Sequence, residues 1–179
     1  MSHNSFFLLV LFLAYVSSSN SILNKVVEVD IICKESSDTL YCSNILNSKP
    51  GGAKGVSLVD LTDYIMDSLI ANSTNTDRLI TKLIYQIDNI TEINYYLQCK
   101  SNFVSAYGVT VKLIHASMDL TNMQYPSMVK NIDDVMEYIL QCIDSLHQHK
   151  TSALLARVVD DYRQSVQVLQ IMAKYLIHG

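Results

Sequence analysis

A chain of 179 residues, 49% hydrophobic and only 17% charged, has room for one ordinary domain and enough apolar sequence to bury a core, which excludes a solvated disordered polymer. Gly 5 and Pro 2 are far below average usage, so its elements are long and seldom interrupted. The formal net charge of -4 comes without a long run of one sign, which leaves nucleic acid no basic footprint and suits a basic partner weakly.

The chain opens with an apolar run from Phe6 to Val16, followed by the small polar stretch Ser17-Ser18-Ser19-Asn20. Such a run is too short to span a bilayer, which needs about 20 apolar residues. It reads as a secretory signal peptide over 1–18, cut near Ser18 or Ser19, although the usual basic residues before it are missing. No later segment has the length and apolarity of a membrane anchor, so the mature chain is expected to be soluble and extracellular, with no membrane contact.

Compartment then bears on Cys33, Cys42, Cys99 and Cys142, all of which survive the cut. An even count in an oxidising compartment reads as two disulfides. Three connectivities are open. Cys33 to Cys42 with Cys99 to Cys142 is favoured, because the first pair closes a short local loop and leaves the second to join two separate elements. Zinc is disfavoured, since neither pair has the C-x2-4-C spacing of a metal knuckle.

In the mature chain, Ile22 to Glu35 and Thr39 to Leu46 read as two short helices tied by Cys33 and Cys42. This hairpin, 19–52, ends in the turn cluster Asn47-Ser48-Lys49-Pro50-Gly51-Gly52. The remainder, 53–179, reads as a bundle. Its first helix starts at Ser57, with Asp60 three residues on, and carries Leu58, Leu61, Ile65 and Leu69 at helical spacing. The stripe resumes at Leu79 or Ile80, Leu83 and Ile87, so one long helix with a polar waist at Asn72 to Asp77 is expected. A second stripe runs through Ile93, Leu97, Val104, Tyr107, Val111, Ile114 and Met118, after the candidate cap Thr91, and predicts one helix ending near Thr121-Asn122.

Pro126 suits the first turn of a third helix, with Val129, Ile132, Met136, Ile139, Ile143 and Leu146 inward. A fourth starts at Thr151-Ser152 and carries Leu155, Val158 or Val159, Tyr162, Val166, Leu169, Ala173 and Leu176. Nothing alternates with period two for long enough to argue a sheet. The expected fold is all-α, an up-down-up-down four-helix bundle with an N-terminal disulfide-stapled helical hairpin. Antiparallel neighbours would bring Cys99, early in the second helix, beside Cys142, late in the third.

This pattern resembles the plant invertase and pectin methylesterase inhibitor family. The likeness begins at Ile32-Cys33, with Cys42 after eight intervening residues and Leu46 four further on. It continues at Cys99-Lys100-Ser101-Asn102-Phe103-Val104-Ser105-Ala106, with Phe103 where the family has Tyr, and at Cys142 followed by a last apolar helix. It covers nearly the whole mature chain, about 22–177. The resemblance implies a hairpin on a four-helix bundle, disulfides in the order first to second and third to fourth, and no catalysis. It also implies an enzyme partner in the apoplast, pectin methylesterase or acid invertase, inhibited in the first case by helices that cover the pectin cleft.

The sequence departs from the family in three places. Asp133-Asp134-Val135 replaces a small Ser-Ala-Ala patch, where close packing or target contact is expected, and Gln141 replaces the Thr before the fourth cysteine. The loop Asp144 to Thr151 lacks the Pro-Lys-Phe that invertase inhibitors often carry, which ranks pectin methylesterase first.

Candidate target-binding residues are Asn102, Ser105, Lys112, Asp133, Asp134 and Glu137, chosen for expected exposure on the second and third bundle helices. The three acids serve equally well as an ordinary solvated face near a helix N-terminus. Tyr95, Tyr96, Tyr107, Tyr125 and Tyr138 read as bundle packing with hydroxyls towards solvent more than as interface anchors. His147 and His149 stand two apart, which on a helix points them to different sides and argues against a metal pair. His115 and His178 carry no signal.

No nucleophile, phosphate loop or oxyanion motif accompanies the acids, so no catalytic residue, cofactor or metal is expected. Of the sequons Asn72-Ser73-Thr74 and Asn89-Ile90-Thr91, the second falls in an expected loop, whereas Asn72 lies within about 20 degrees of Ile65 and Leu83 on the helical wheel. Glycan is therefore expected at Asn89 and not at Asn72. The function expected is that of a monomeric secreted enzyme inhibitor of the cell wall. A secreted helical ligand of a receptor would use the same bundle, whereas carriage of a small ligand would need a thinned core that these stripes do not provide.

Overall fold

Long apolar stripes with few breakers make a molecule of helices joined by short turns. A computed structural model describes residues 26, 28–147 and 152–178. The expected signal peptide and its cut, the beginning of the hairpin at Ile22, His149 and the Thr151 cap lie outside these residues. Among them the helices are α1 (Val29–Cys33), α2 (Thr39–Asn47), α3 (Leu58–Ile84), α4 (Ile90–Val104), α5 (Val109–Thr121), α6 (Tyr125–His147) and α7 (Ala153–His178). The only β pairing among them is an isolated antiparallel bridge between Val26 and Ser57.

Helix starts follow local chemistry. Asp38 accepts from the Tyr41 N–H at 2.8 Å and Ser57 from the Asp60 N–H at 3.1 Å, each satisfying a donor that the first turn leaves unpaired. α3 runs unbroken through its polar waist. Ser73 Oγ donates to the Ile70 carbonyl and Thr76 Oγ1 to the Asn72 carbonyl, so both hydroxyls are satisfied while buried. Two expectations are corrected at the front of the chain. The helix that carries Cys33 begins at Val29, since Glu28 before it is extended and Val26 is bridged to Ser57, so it is not continuous with a start at Ile22. The α4 cap is Asn89, whose Oδ1 accepts from the Thr91 N–H at 2.9 Å, so Thr91 already lies inside the helix.

The second bundle helix, expected to be continuous, is two. Ser105 turns extended after Val104, and the Gly108 N–H donates to its carbonyl at 3.0 Å to close the turn. A Cβ on Gly108 would stand 2.5 Å from the Asn102 carbonyl oxygen, so only glycine lets the turn fold this closely onto α4.

α3, the α4–α5 rod, α6 and α7 follow one another around a common core. Contacts between Lys100 and Asp77, Ser73 and Thr110, and Ser117 and Asp63 set the rod antiparallel to α3. Asn102 with Tyr138, Lys112 with Asp134 and Asn131 with Asp119 set it antiparallel to α6. The Cys99–Cys142 disulfide lies in the same register with Cα atoms 4.4 Å apart, and Cys33–Cys42 staples α1 to α2 at 5.5 Å. At mid-bundle the Phe103 and Tyr162 rings meet edge-on with centroids 5.3 Å apart, and the Tyr162 hydroxyl donates to the Leu69 carbonyl at 2.9 Å.

The hairpin has a definite place because α7 is apolar on two sides. One side, through Tyr162, Val166 and Leu169, enters the bundle; Val168 and Ile171, turned away from it, are also buried. The hairpin lies over this outer side. It is fastened by Tyr41 Oη donating to the Asp161 carbonyl, Ser37 Oγ to Gln167 Oε1 and Tyr175 Oη to Glu35 Oε1, each at 2.6 Å.

Candidate functional site

The second stripe of the sequence is a true periodicity on the wrong face. Leu97, Val104, Tyr107, Ile114 and Met118 are 43 to 75% exposed, while Ile93 and Val111 are half-buried. The core side of the rod is instead Tyr96, Cys99, Phe103, Val109, Leu113, Ala116 and Leu120. Both faces are apolar, and periodicity alone does not say which one turns inward. Thus α7 and the α4–α5 rod share one property, a second apolar face. On α7 the hairpin covers it; on the rod nothing among the described residues does.

Polar seams border this face. Towards α6, Lys112 Nζ stands 2.6 Å from Asp134 Oδ2, and Asn102 Nδ2 donates to the Tyr138 carbonyl at 3.1 Å. Glu137, exposed beyond them, accepts from Gln141 Nε2 at 3.3 Å. Towards α3, Lys100 bridges Asp77 and Thr81, and Ser117 reaches Asp63.

Five of the six residues expected to bind a target, Asn102, Ser105, Lys112, Asp134 and Glu137, thus lie along the rod–α6 seam, but they differ in character. Asn102 secures α6, Ser105 makes the turn, and Lys112 and Asp134 neutralise one another. Only Glu137 is exposed. The sixth, Asp133, projects on the other flank of α6, where Gln170 Nε2 donates to it at 2.7 Å. The stripe residues were missed as surface because the sequence assigns them to the core. Among the tyrosines considered, Tyr96 is buried, with its hydroxyl accepting from the Ser152 N–H at 2.8 Å, and Tyr107 is the exposed one, at the rod's break.

Asn89 is exposed, and its cap uses Oδ1 only, so Nδ2 is available for a sugar. The helical-wheel placing of Asn72 in the core is corrected: the residue is exposed although α3 is continuous there. The buried line at this level passes through Leu69, Ser73 and Thr76, which leaves Asn72 at the edge facing α7, where the two helices form an open groove. Among the described residues no group of three or more His, Cys, Asp or Glu side chains could hold a metal ion, and no helix is long and apolar enough to cross a membrane. What this surface can do is bury apolar area against a second molecule within a polar rim.

No protein-family model and no curated protein matches the chain by sequence. Solved structures do match by fold. A mutant form of a pectin methylesterase inhibitor from Arabidopsis superposes with a TM-score of 0.73 at 17% identity, over 82% of this chain and 95% of that one. A pectin methylesterase inhibitor from Arabidopsis thaliana superposes with a TM-score of 0.63 at 16% identity, over 84% and 97%. The described chain therefore has the helical-bundle fold of these inhibitors over almost their whole length.

Proposed function

We propose that this protein is a divergent member of the plant invertase and pectin methylesterase inhibitor family, secreted to the cell wall, where it inhibits pectin methylesterase by steric exclusion. The uncovered apolar face of the α4–α5 rod carries this reading. Leu97, Val104, Tyr107, Ile114 and Met118 give a docking enzyme exposed apolar side chains along the rod, and the rod–α6 seam with Glu137 supplies a polar rim. A rigid bundle laid across an open polysaccharide cleft blocks it without chemistry. The shared fold, two disulfides suited to an oxidising compartment and the missing Pro-Lys-Phe loop support the same target. The functional unit is the hairpin, 19–52, with the bundle from 53 onward, acting as a monomer.

The test is to titrate the oxidised protein separately against pectin methylesterase and acid invertase. Stoichiometric inhibition of the first is expected. Tyr107→Ala weakens it about 30-fold, the effect of losing a hot spot of about 2 kcal/mol, with an unchanged helical spectrum. Inhibition of invertase alone would move the target to that enzyme. Inhibition of neither, with saturable binding to a membrane fraction, would favour a receptor ligand.

A further inference from the structure

We propose that Asn72 is a second N-glycan attachment site, whose sugar occupies the groove between α3 and α7 and leaves the outer face of the rod bare. The inference rests on the secretory reading above, and three observations carry it. Asn72-Ser73-Thr74 is a complete sequon, and Asn72 and Thr74 are both exposed. The Asn72 side-chain amide makes no hydrogen bond among the described residues; only its backbone carbonyl is engaged, by Thr76. Asn72 lines an open groove of about 370 Å³ together with Tyr41, Asn75, Leu79, Val158 and Asp161. That volume lies in the range of small-ligand sites, about 300 to 1,000 Å³, and the lining mixes aromatic, aliphatic and amide groups suited to a sugar ring.

The helix is no obstacle to the reaction, because transfer takes place on the chain as it enters the secretory pathway, before α3 has formed. The Asn72 amide nitrogen forms a bond to C1 of the first N-acetylglucosamine of a lipid-diphosphate-linked oligosaccharide. The bond from C1 to the diphosphate oxygen breaks, the lipid diphosphate leaves, and the amide gives up one proton to a base. No residue has to move to admit the product, since the position already faces open space. Ser73, about 100 degrees further round α3, turns to the rod, where its Oγ meets Thr110 at 2.9 Å, so Asn72 in the α3–α7 groove and the outer face of the rod lie on different flanks of the bundle.

The experiment is to express the full chain with its own N-terminal segment in a plant or yeast secretory host, recover it from the medium and release glycans with a peptide N-glycosidase in heavy-oxygen water. Conversion of asparagine to labelled aspartate at both Asn72 and Asn89 is expected, as is a gel mobility step lost in Thr74→Ala. That variant keeps Asn72 and should inhibit as the parent does. Label at Asn89 with Asn72 unmodified would overturn the proposal and leave export standing. A chain retained in the cell with both sites bare would overturn the proposal and the secretory reading together. Loss of inhibition in a folded Thr74→Ala would refute the separation of the two faces.

Discussion

Ile171 of α7 and Ile114 of α5 both point away from the bundle core, and truncating each to alanine separates a covered face from an uncovered one. Ile171 is 4% exposed beneath the hairpin, whereas Ile114 is 43% exposed. Ile171→Ala opens a cavity that the packed hairpin fills only in part, which costs about 2 to 5 kcal/mol. At roughly 2 to 4 °C per kcal/mol for a domain of this size, the melting temperature falls by about 4 to 20 °C. Ile114→Ala removes about three methyl or methylene groups at roughly 0.8 kcal/mol each, of which a little over half is out of water, so the loss is about 1.4 kcal/mol. Water fills the space, so there is no cavity cost, and the better helix propensity of alanine returns about 0.4 kcal/mol. The net change is about 1 kcal/mol, or roughly 2 to 4 °C. Paired thermal melts followed by circular dichroism measure both. Equal losses would mean that the rod's second face is packed in solution, and the argument for a docking surface would fail.

Three further outcomes are expected. Replacing Cys99 and Cys142 by alanine removes a link across a sequence separation of 43, worth about 4 kcal/mol by chain entropy, against about 2.6 kcal/mol for Cys33–Cys42 with a separation of 9, so the urea midpoint falls further for the first pair; the reverse order would contradict the account. Gly108→Ala drives a Cβ into the Asn102 carbonyl and costs about 1 to 3 kcal/mol, measurable as a lower urea midpoint, although the backbone angles at 108 suit any residue; an unchanged midpoint would show that the turn relaxes freely. Burial holds the Tyr162 hydroxyl protonated well above its usual range, and burial above all raises Tyr41 too, so the unfolded chain loses protons near pH ~10 while the folded one keeps them. Stability is then complete below about pH 10 and declines above it; Tyr162→Phe costs about 1 kcal/mol at neutral pH and makes the alkaline decline shallower, as urea midpoints across that range would show, and an equally steep decline would refute the assignment.

Much of the bundle was legible because its signals are local. Ser57 with Asp60 announced α3, and the run from Leu58 to Leu69 fixed its inward side. Pro126 fell in the first turn of α6 as expected. The break before α5 was less legible, since Gly108 is required by its approach to the Asn102 carbonyl, a contact that exists only after the chain has turned. Asn72 was misplaced for a related reason. A wheel of 100 degrees per residue assumes one fixed inward direction, but along α3 the buried line shifts by the end of the waist, and an edge position beside an open groove is exposed. On the rod, the sequence placed the polar residues of the seam at the surface and assigned the exposed apolar residues to the core.

That error bears on the departures at α6. Asp133-Asp134-Val135 brings charge to a stretch expected to pack closely, yet the helix sorts the three residues by side. Val135 is fully buried, Asp134 turns to the seam and pairs with Lys112, and Asp133 faces outward beside Gln170. Gln141, before the disulfide, is likewise exposed and holds Glu137. The core therefore accepts this sequence without an unpaired buried charge, which would be far costlier than a changed surface. What differs at these positions is the outside of α6, including the rim of the strip on the rod. Because rim charges chiefly set association rate and partner choice, these positions would act on the rate and selectivity of any protein that docks on the strip, while the bundle that presents the surface is kept.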